Sequence, residues 1–95
     1  MTKDELITKI QKLKPAIEKE YGISQLALFG SYARNEQNSQ SDIDLLVWAA
    51  DKNYFTLLDL QTELTIKLGH SIDIGYYDSL KSYVKESIQK DLCIV

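Results

Sequence analysis

Apolar residues recur along the chain first at helical spacing, then in short unbroken runs, then at helical spacing again. Leu6, Ile10, Leu13 and Ile17 lie three or four apart, so residues 1–21 read as a helical segment that packs by one face. Pro15 falls inside it. Proline lacks an amide hydrogen and crowds the turn before it, so a kink is expected, or two short helices meeting near Lys14. Gly22 supplies a stop. Leu26 to Phe29 is a continuous apolar run ending at Gly30-Ser31, which reads as a buried strand feeding into a turn. Tyr32-Ala33-Arg34 follows as a short helix, and the polar stretch Asn35 to Gln40 as a loop. Asp42 to Val47 is a second strand with two carboxylates at its start.

From Tyr54 to Leu68 the helical period returns, with Leu57, Leu60, Leu64 and Leu68 on one face, Asn53 as N-cap and Gly69 as stop. Ser71 to Tyr76 alternates with period two and predicts a third strand. Asp78-Ser79 offers a cap for a last helix whose apolar face carries Leu80, Val84 and Ile88, with Tyr83 beside them. Leu92 to Val95 fits either a short edge strand or a packed tail.

The chain has 95 residues, the size of one small domain: an N-terminal helical segment, 1–21, and a core, 23–95. The net charge is -3 and the pI about 5.0. Proteins that grip duplex nucleic acid through phosphates usually carry a basic surface, so no duplex partner is expected. Small anions remain possible ligands, because a few local donors suffice. The single cysteine, Cys93, has no intramolecular disulfide partner and reads as a small buried hydrophobe. No apolar run approaches a membrane span or a signal peptide, so a cytoplasmic location is expected.

Three acids change the picture. Successive strand residues alternate faces, so Asp42 and Asp44 project together, about 7 Å apart, while Ile43, Leu45 and Val47 face the core. Carboxylates placed side by side repel and resist desolvation, and a divalent cation relieves both costs. Mg²⁺ suits them as a hard ion that takes oxygen ligands. If the first two strands are antiparallel neighbours, Gly30-Ser31 shares one sheet end with these acids. The helix that follows is long enough for a crossover to a parallel third strand, which brings Asp73 beside Asp44. Gly30 lets backbone approach a phosphate, the Ser31 hydroxyl adds a donor, and Arg34, the only arginine, lies one turn further on, within reach of a phosphate or a nearby carboxylate.

Leu28-Phe29-Gly30-Ser31-Tyr32-Ala33-Arg34, then ten residues from Tyr32 to Ser41, then Asp42-Ile43-Asp44 resembles the Gly-Ser-x10-Asp-x-Asp signature of minimal nucleotidyltransferases in the DNA polymerase beta superfamily. Asp73 matches that superfamily's third carboxylate. The resemblance implies an α+β nucleotidyltransferase fold, a small mixed β-sheet flanked by α-helices. It implies two Mg²⁺ ions, Asp42 and Asp44 ligating both and Asp73 completing the site of the ion that activates the acceptor. Gly30, Ser31 and Arg34 then bind the triphosphate of ATP or another NTP. Asn35 stands where many relatives have glycine; asparagine best tolerates the left-handed conformation in its place.

Larger relatives carry acceptor-binding domains. This chain has little material for one, so a partner or a second copy must present the acceptor. Freestanding members resemble the antitoxin of a pair whose toxin is a helical HEPN-domain ribonuclease. That likeness implies adenylylation of a toxin tyrosine using ATP. The alternative is a binding module that neutralises the toxin by occlusion, and a third reading is action on a small-molecule hydroxyl. His70, the only histidine, reads as a surface turn residue and Ser41 as support for the strand start. Trp48, Tyr76 and Tyr77 read as packing or rim, and Lys81, Lys85 and Lys90 as a solvated face.

Overall fold

The computed structural model describes all residues, 1–95. Its order is α1 (Lys3–Tyr21), β1 (Ile23–Phe29), α2 (Gly30–Ala33), β2 (Ile43–Ala49), α3 (Tyr54–Leu68), β3 (Ile72–Tyr76), α4 (Ser82–Ile88) and β4 (Cys93–Ile94), with 3₁₀ turns at Tyr77–Ser79 and Gln89–Asp91. The four strands form one mixed sheet in the order β3-β2-β1-β4. β1 runs antiparallel to β2 and β4, whereas β2 and β3 are parallel. This small mixed sheet flanked by helices is the architecture that the resemblance implies.

One face of the sheet makes the core. Leu26 and Leu28 of β1, Ile43, Leu45 and Val47 of β2 and Ile72 of β3 join Leu6, Ile10 and Ile17 of α1 and Leu57, Leu60, Leu64 and Leu68 of α3 in a single apolar cluster. Strand alternation sends Asp44, Leu46 and Trp48 to the opposite face. Leu46 is only 2% exposed there, so that face is partly covered as well. The α3 boundaries match their capping chemistry: Asn53 Oδ1 accepts from the backbone N–H groups of Phe55 and Thr56, and Gly69 closes the helix at φ 67°. No helix is long and apolar enough to cross a membrane.

Several expectations are corrected. α1 is one helix of 19 residues with Pro15 inside it, not two meeting near Lys14. Pro15 and Gln11, whose backbone bond the ring disrupts, are both exposed, so the loss falls on the solvent side of the helix. Buried residues on either side of Pro15 dock both halves on one core. Asp78-Ser79 does not cap the last helix: both lie in a 3₁₀ turn, and α4 starts at Ser82 after Lys81. No residue of α4 is buried, and Tyr83 is 67% exposed. The tail resolves into an edge strand, with Ala27 opposite Ile94 and Leu28 opposite Cys93. Cys93 is half-buried against the core rather than enclosed.

Candidate functional site

β1 and β2 bring Gly30 to the acids. Phe29 is the register partner of Asp44, so the chain leaves the sheet at Gly30 directly beside that carboxylate. Gly30 has φ 75°, in the left-handed region that disfavours a side chain. A Cβ there would lie 2.2 Å from Asp44 Oδ2. The glycine therefore has two duties: it opens backbone at the turn and makes room for Asp44. The structure adds the second duty to the phosphate argument.

The parallel pairing of β2 with β3 places Asp73 in direct register with Asp44. These two positions are 29 residues apart in sequence yet share one pair of neighbouring strands and one face. Asp42 precedes β2, which starts at Ile43, so it extends from the end of the strand rather than from within it. Asp42 and Asp73 are exposed and Asp44 is half-buried. Burial, then the charges of Asp73 and Asp42, push the Asp44 carboxyl above its ordinary range, with Arg34 opposing them. Asp42 and Asp73 thus both bear on the Asp44 carboxyl.

They do not form a closed cage. No group of three or more His, Cys, Asp or Glu side chains is gathered tightly enough to enclose an ion. None of the four surface concavities is lined by Asp42, Asp44 or Asp73, so the acids lie on an open sheet edge. The donor set nevertheless suits Mg²⁺. It is all oxygen, and Mg²⁺ binds through a few carboxylates while keeping waters that phosphates can displace. A cation also relieves the burial and repulsion that make a charged Asp44 costly here.

Around the Gly-Ser corner, α2 is a single turn. The Ser31 carbonyl accepts from the Glu36 N–H at 2.8 Å, which folds the following loop back over the turn. Asn35 adopts φ 59°, the only non-glycine residue with positive φ, as its place after Ala33-Arg34 implies. Asn38 and Ser41 then brace the loop, the Asn38 N–H donating to Ser41 Oγ at 2.9 Å. Ser41 thereby supports the strand start, as expected.

Arg34 has found carboxylate partners. Its Nε donates to Glu36 Oε1 at 2.6 Å, and Nη1 lies 3.5 Å from Asp91 Oδ2. Sequence reasoning missed Asp91, which arrives from the C-terminal 3₁₀ turn across a long separation with no local signal. It also missed Lys3, whose Nζ donates to the Ala33 carbonyl at 2.8 Å and fixes the end of α2 from the N-terminal helix. Trp48 stacks on Tyr77, ring centroids 4.6 Å apart, with Lys85 Nζ 4.9 Å from the Tyr77 centroid. Those aromatics are packing between the sheet and the C-terminal segment.

Comparison with known proteins agrees with this geometry. The family described as polymerase beta, nucleotidyltransferase, matches residues 11–95. A Methanocaldococcus jannaschii protein provisionally named a protein adenylyltransferase is 38% identical over 88 residues, 90% of each chain. The solved structure of a provisionally identified minimal nucleotidyltransferase superposes with a TM-score of 0.82 at 25% identity, covering 97% of this chain and 94% of that one. A complex of tri-AMPylated Shewanella oneidensis HEPN toxin with its MNT antitoxin matches at a TM-score of 0.68 and 20% identity, covering 94% and 69%, a likeness of fold. Family signature, sheet register and superposition agree: the chain belongs to the polymerase beta nucleotidyltransferase family.

Proposed function

We propose that this domain transfers AMP from ATP to a hydroxyl of a partner protein, a HEPN-type toxin that it thereby silences as an antitoxin. The observation that carries the chemistry is the register of Asp44 with Asp73, beside a Gly30 that leaves no room for a side chain. The acceptor reading draws on the provisional name of the M. jannaschii relative and on the tri-AMPylated toxin in the structurally similar complex.

Asp42, Asp44 and Asp73 are the residues that would hold two Mg²⁺ ions, which would supply activation of the acceptor hydroxyl and neutralisation of the leaving pyrophosphate. Backbone N–H groups at Gly30-Ser31 and the Ser31 hydroxyl hold the triphosphate, whose close approach glycine permits. Arg34 adds positive charge nearby, its plane held by Glu36 and Asp91. The acceptor oxygen bonds to the α-phosphorus, the bond from that phosphorus to the bridging oxygen breaks, and pyrophosphate leaves. Asp73, exposed at the edge, takes the hydroxyl proton in this reading, secondary to ligation. The open edge suits a protein acceptor that supplies its own wall.

A second reading has one observation in its favour. Arg34 is already paired with two carboxylates, which suits a module that binds nucleotide weakly and blocks its partner by occupancy. Incubation with ATP, Mg²⁺ and the toxin-like product of the adjacent reading frame separates the two. Intact-mass measurement should show the partner gaining one or more AMP units, lost with Asp42→Ala. A tight complex of unmodified partner supports occlusion instead.

A further inference from the structure

At the sheet edge that carries the acids, a hollow of about 370 Å³ is lined by Met1, Tyr32, Gln37, Asn38, Ser39 and His70. Three segments build it: the residue ahead of α1, the stretch from α2 to β2, and the turn between α3 and β3. Tyr32, 2% exposed, belongs to the core cluster and Met1 packs against that cluster, so the hollow opens on the helical side of the edge, opposite Asp44. It is nonetheless close to the acids. Ser39 precedes Asp42 by three residues and His70 precedes Asp73 by three, which limits each separation to roughly 11 Å. The Ile43 N–H donates to the Ser71 carbonyl at 2.9 Å and ties the two approaches together. His70, expected as a surface turn residue, is half-buried in this wall.

The lining selects a ligand class. It contains no lysine, arginine or carboxylate, which favours neither a phosphate nor a cationic group. Carboxamides, hydroxyls and an imidazole recognise a neutral ligand that forms hydrogen bonds. Gln37 Oε1 is sequestered without a partner, an acceptor that a ligand N–H satisfies. Beside it, free backbone groups match another main chain. Asn38 turns inward: its N–H donates to Ser41 Oγ, its carbonyl accepts from the Ser41 N–H and its Oδ1 from the Gln40 N–H. Gln37 and Ser39, on either side, make no backbone hydrogen bond within the chain. Two residues apart, they repeat as an extended polypeptide repeats, and main-chain pairing of that kind supplies affinity. A purine also carries donors, but it binds by stacking, and the Tyr32 ring is enclosed in the core.

We propose that this hollow, with residues 37–39, is the acceptor subsite: it holds in extended form the stretch of partner polypeptide next to the hydroxyl that receives AMP. Gln37 Oε1 and the free carbonyls accept from partner N–H groups, the Ser39 N–H donates to a partner carbonyl, and the hydroxyl-bearing side chain crosses the edge to Asp73. The identity of that segment rests on the transfer reading. Occupation by a polypeptide is tested by binding alone.

Two substitutions make the test, with the product of the adjacent reading frame as probe. Gln37→Leu keeps the bulk and removes the unpaired acceptor. Ser39→Pro removes an N–H at the second position of the Asn38–Ser41 turn, where proline is accommodated. Each should raise KM for the partner about tenfold and leave kcat, KM for ATP and circular dichroism unchanged, whereas a general structural fault moves them together. Calorimetry without ATP or Mg²⁺ should show the same loss of affinity. If that loss appears while the wild type transfers nothing, the transfer reading fails and the polypeptide subsite stands. By NMR, the sole imidazole, His70, should shift in the partner complex and show no nuclear Overhauser effect to the adenine protons of a non-hydrolysable ATP analogue bound with Mg²⁺. A wild type that does not bind the partner, unchanged partner KM and affinity in both variants, or an unmoved His70 signal in the complex overturns the proposal. Adenine contacts to His70 overturn it in favour of a base subsite.

Discussion

Gly30 and Asp44 are one unit at the residue scale, and substitutions at either expose it. Gly30→Ala forces a Cβ to within 2.2 Å of Asp44 Oδ2 at φ 75°, so the carboxylate or the corner must shift. A loss of on the order of 10²-fold in transfer is expected, because small misplacement of reacting groups is costly. Gly22→Ala is the control. It shares a positive φ of 66° but meets nothing within 4 Å, so it costs about 1–2 kcal/mol of stability and leaves activity intact. Chemical denaturation and transfer assays on both variants separate strain from site geometry.

Asp44 also sets a pH dependence. Its carboxyl is raised in the folded chain by burial and by Asp73 and Asp42, so the folded state holds this proton more tightly than the unfolded state. That contribution to stability is full below the ordinary carboxylate pKa and is lost as pH rises through the folded value. Without Mg²⁺, thermal unfolding of the wild type should therefore show Asp44 opposing folding at neutral pH. Asp44→Asn should raise the melting temperature there, flatten that pH response and abolish stabilisation by Mg²⁺. A lower melting temperature in Asp44→Asn at neutral pH contradicts this account.

At the element scale, the segments most legible in sequence are those whose caps and periodicity agree. α3 runs from Asn53 to Gly69 because a side-chain cap, four spaced leucines and a left-handed stop all mark the same span. Asn53→Ala should cost about 1 kcal/mol and leave transfer unchanged, as equilibrium unfolding and kinetics can check. α1 was harder to read, since Pro15 outweighs in local propensity what two docked halves supply in tertiary packing. With Pro15 exposed inside a continuous helix, Pro15→Ala should stabilise the chain by about 1–3 kcal/mol, less whatever freedom alanine returns to the unfolded state. The C-terminal region was read least well. Asp78 and Ser79 lie inside a 3₁₀ turn and cap nothing, and edge pairing of residues 93–94 with β1 depends on partners far away. Asp73 was legible because a long crossover helix between two strands demands a parallel return. Asp91, which pairs with Arg34, and Lys3, which holds the Ala33 carbonyl, were not, since both reach the site only through the completed fold.

The whole molecule is a sheet with one face closed by α1 and α3 and an acidic edge left open beside the Gly-Ser corner. Its net charge of -3 and open acidic edge make a nucleotide without a cation a poor ligand, so ATP binding should require a divalent metal and disappear with a chelator. The distribution of roles across distant segments makes the central claim sharp: Asp73 must act with Asp42 and Asp44 as one site. Transfer from ATP labelled at either the α- or the γ-phosphate, to the partner protein, tests that claim most directly. α-Label should remain on the acceptor and γ-label should not, with Asp73→Asn reducing transfer as severely as Asp42→Asn, by roughly 10²–10³-fold or more. Full transfer by Asp73→Asn, or retention of γ-label on the partner, would contradict the account.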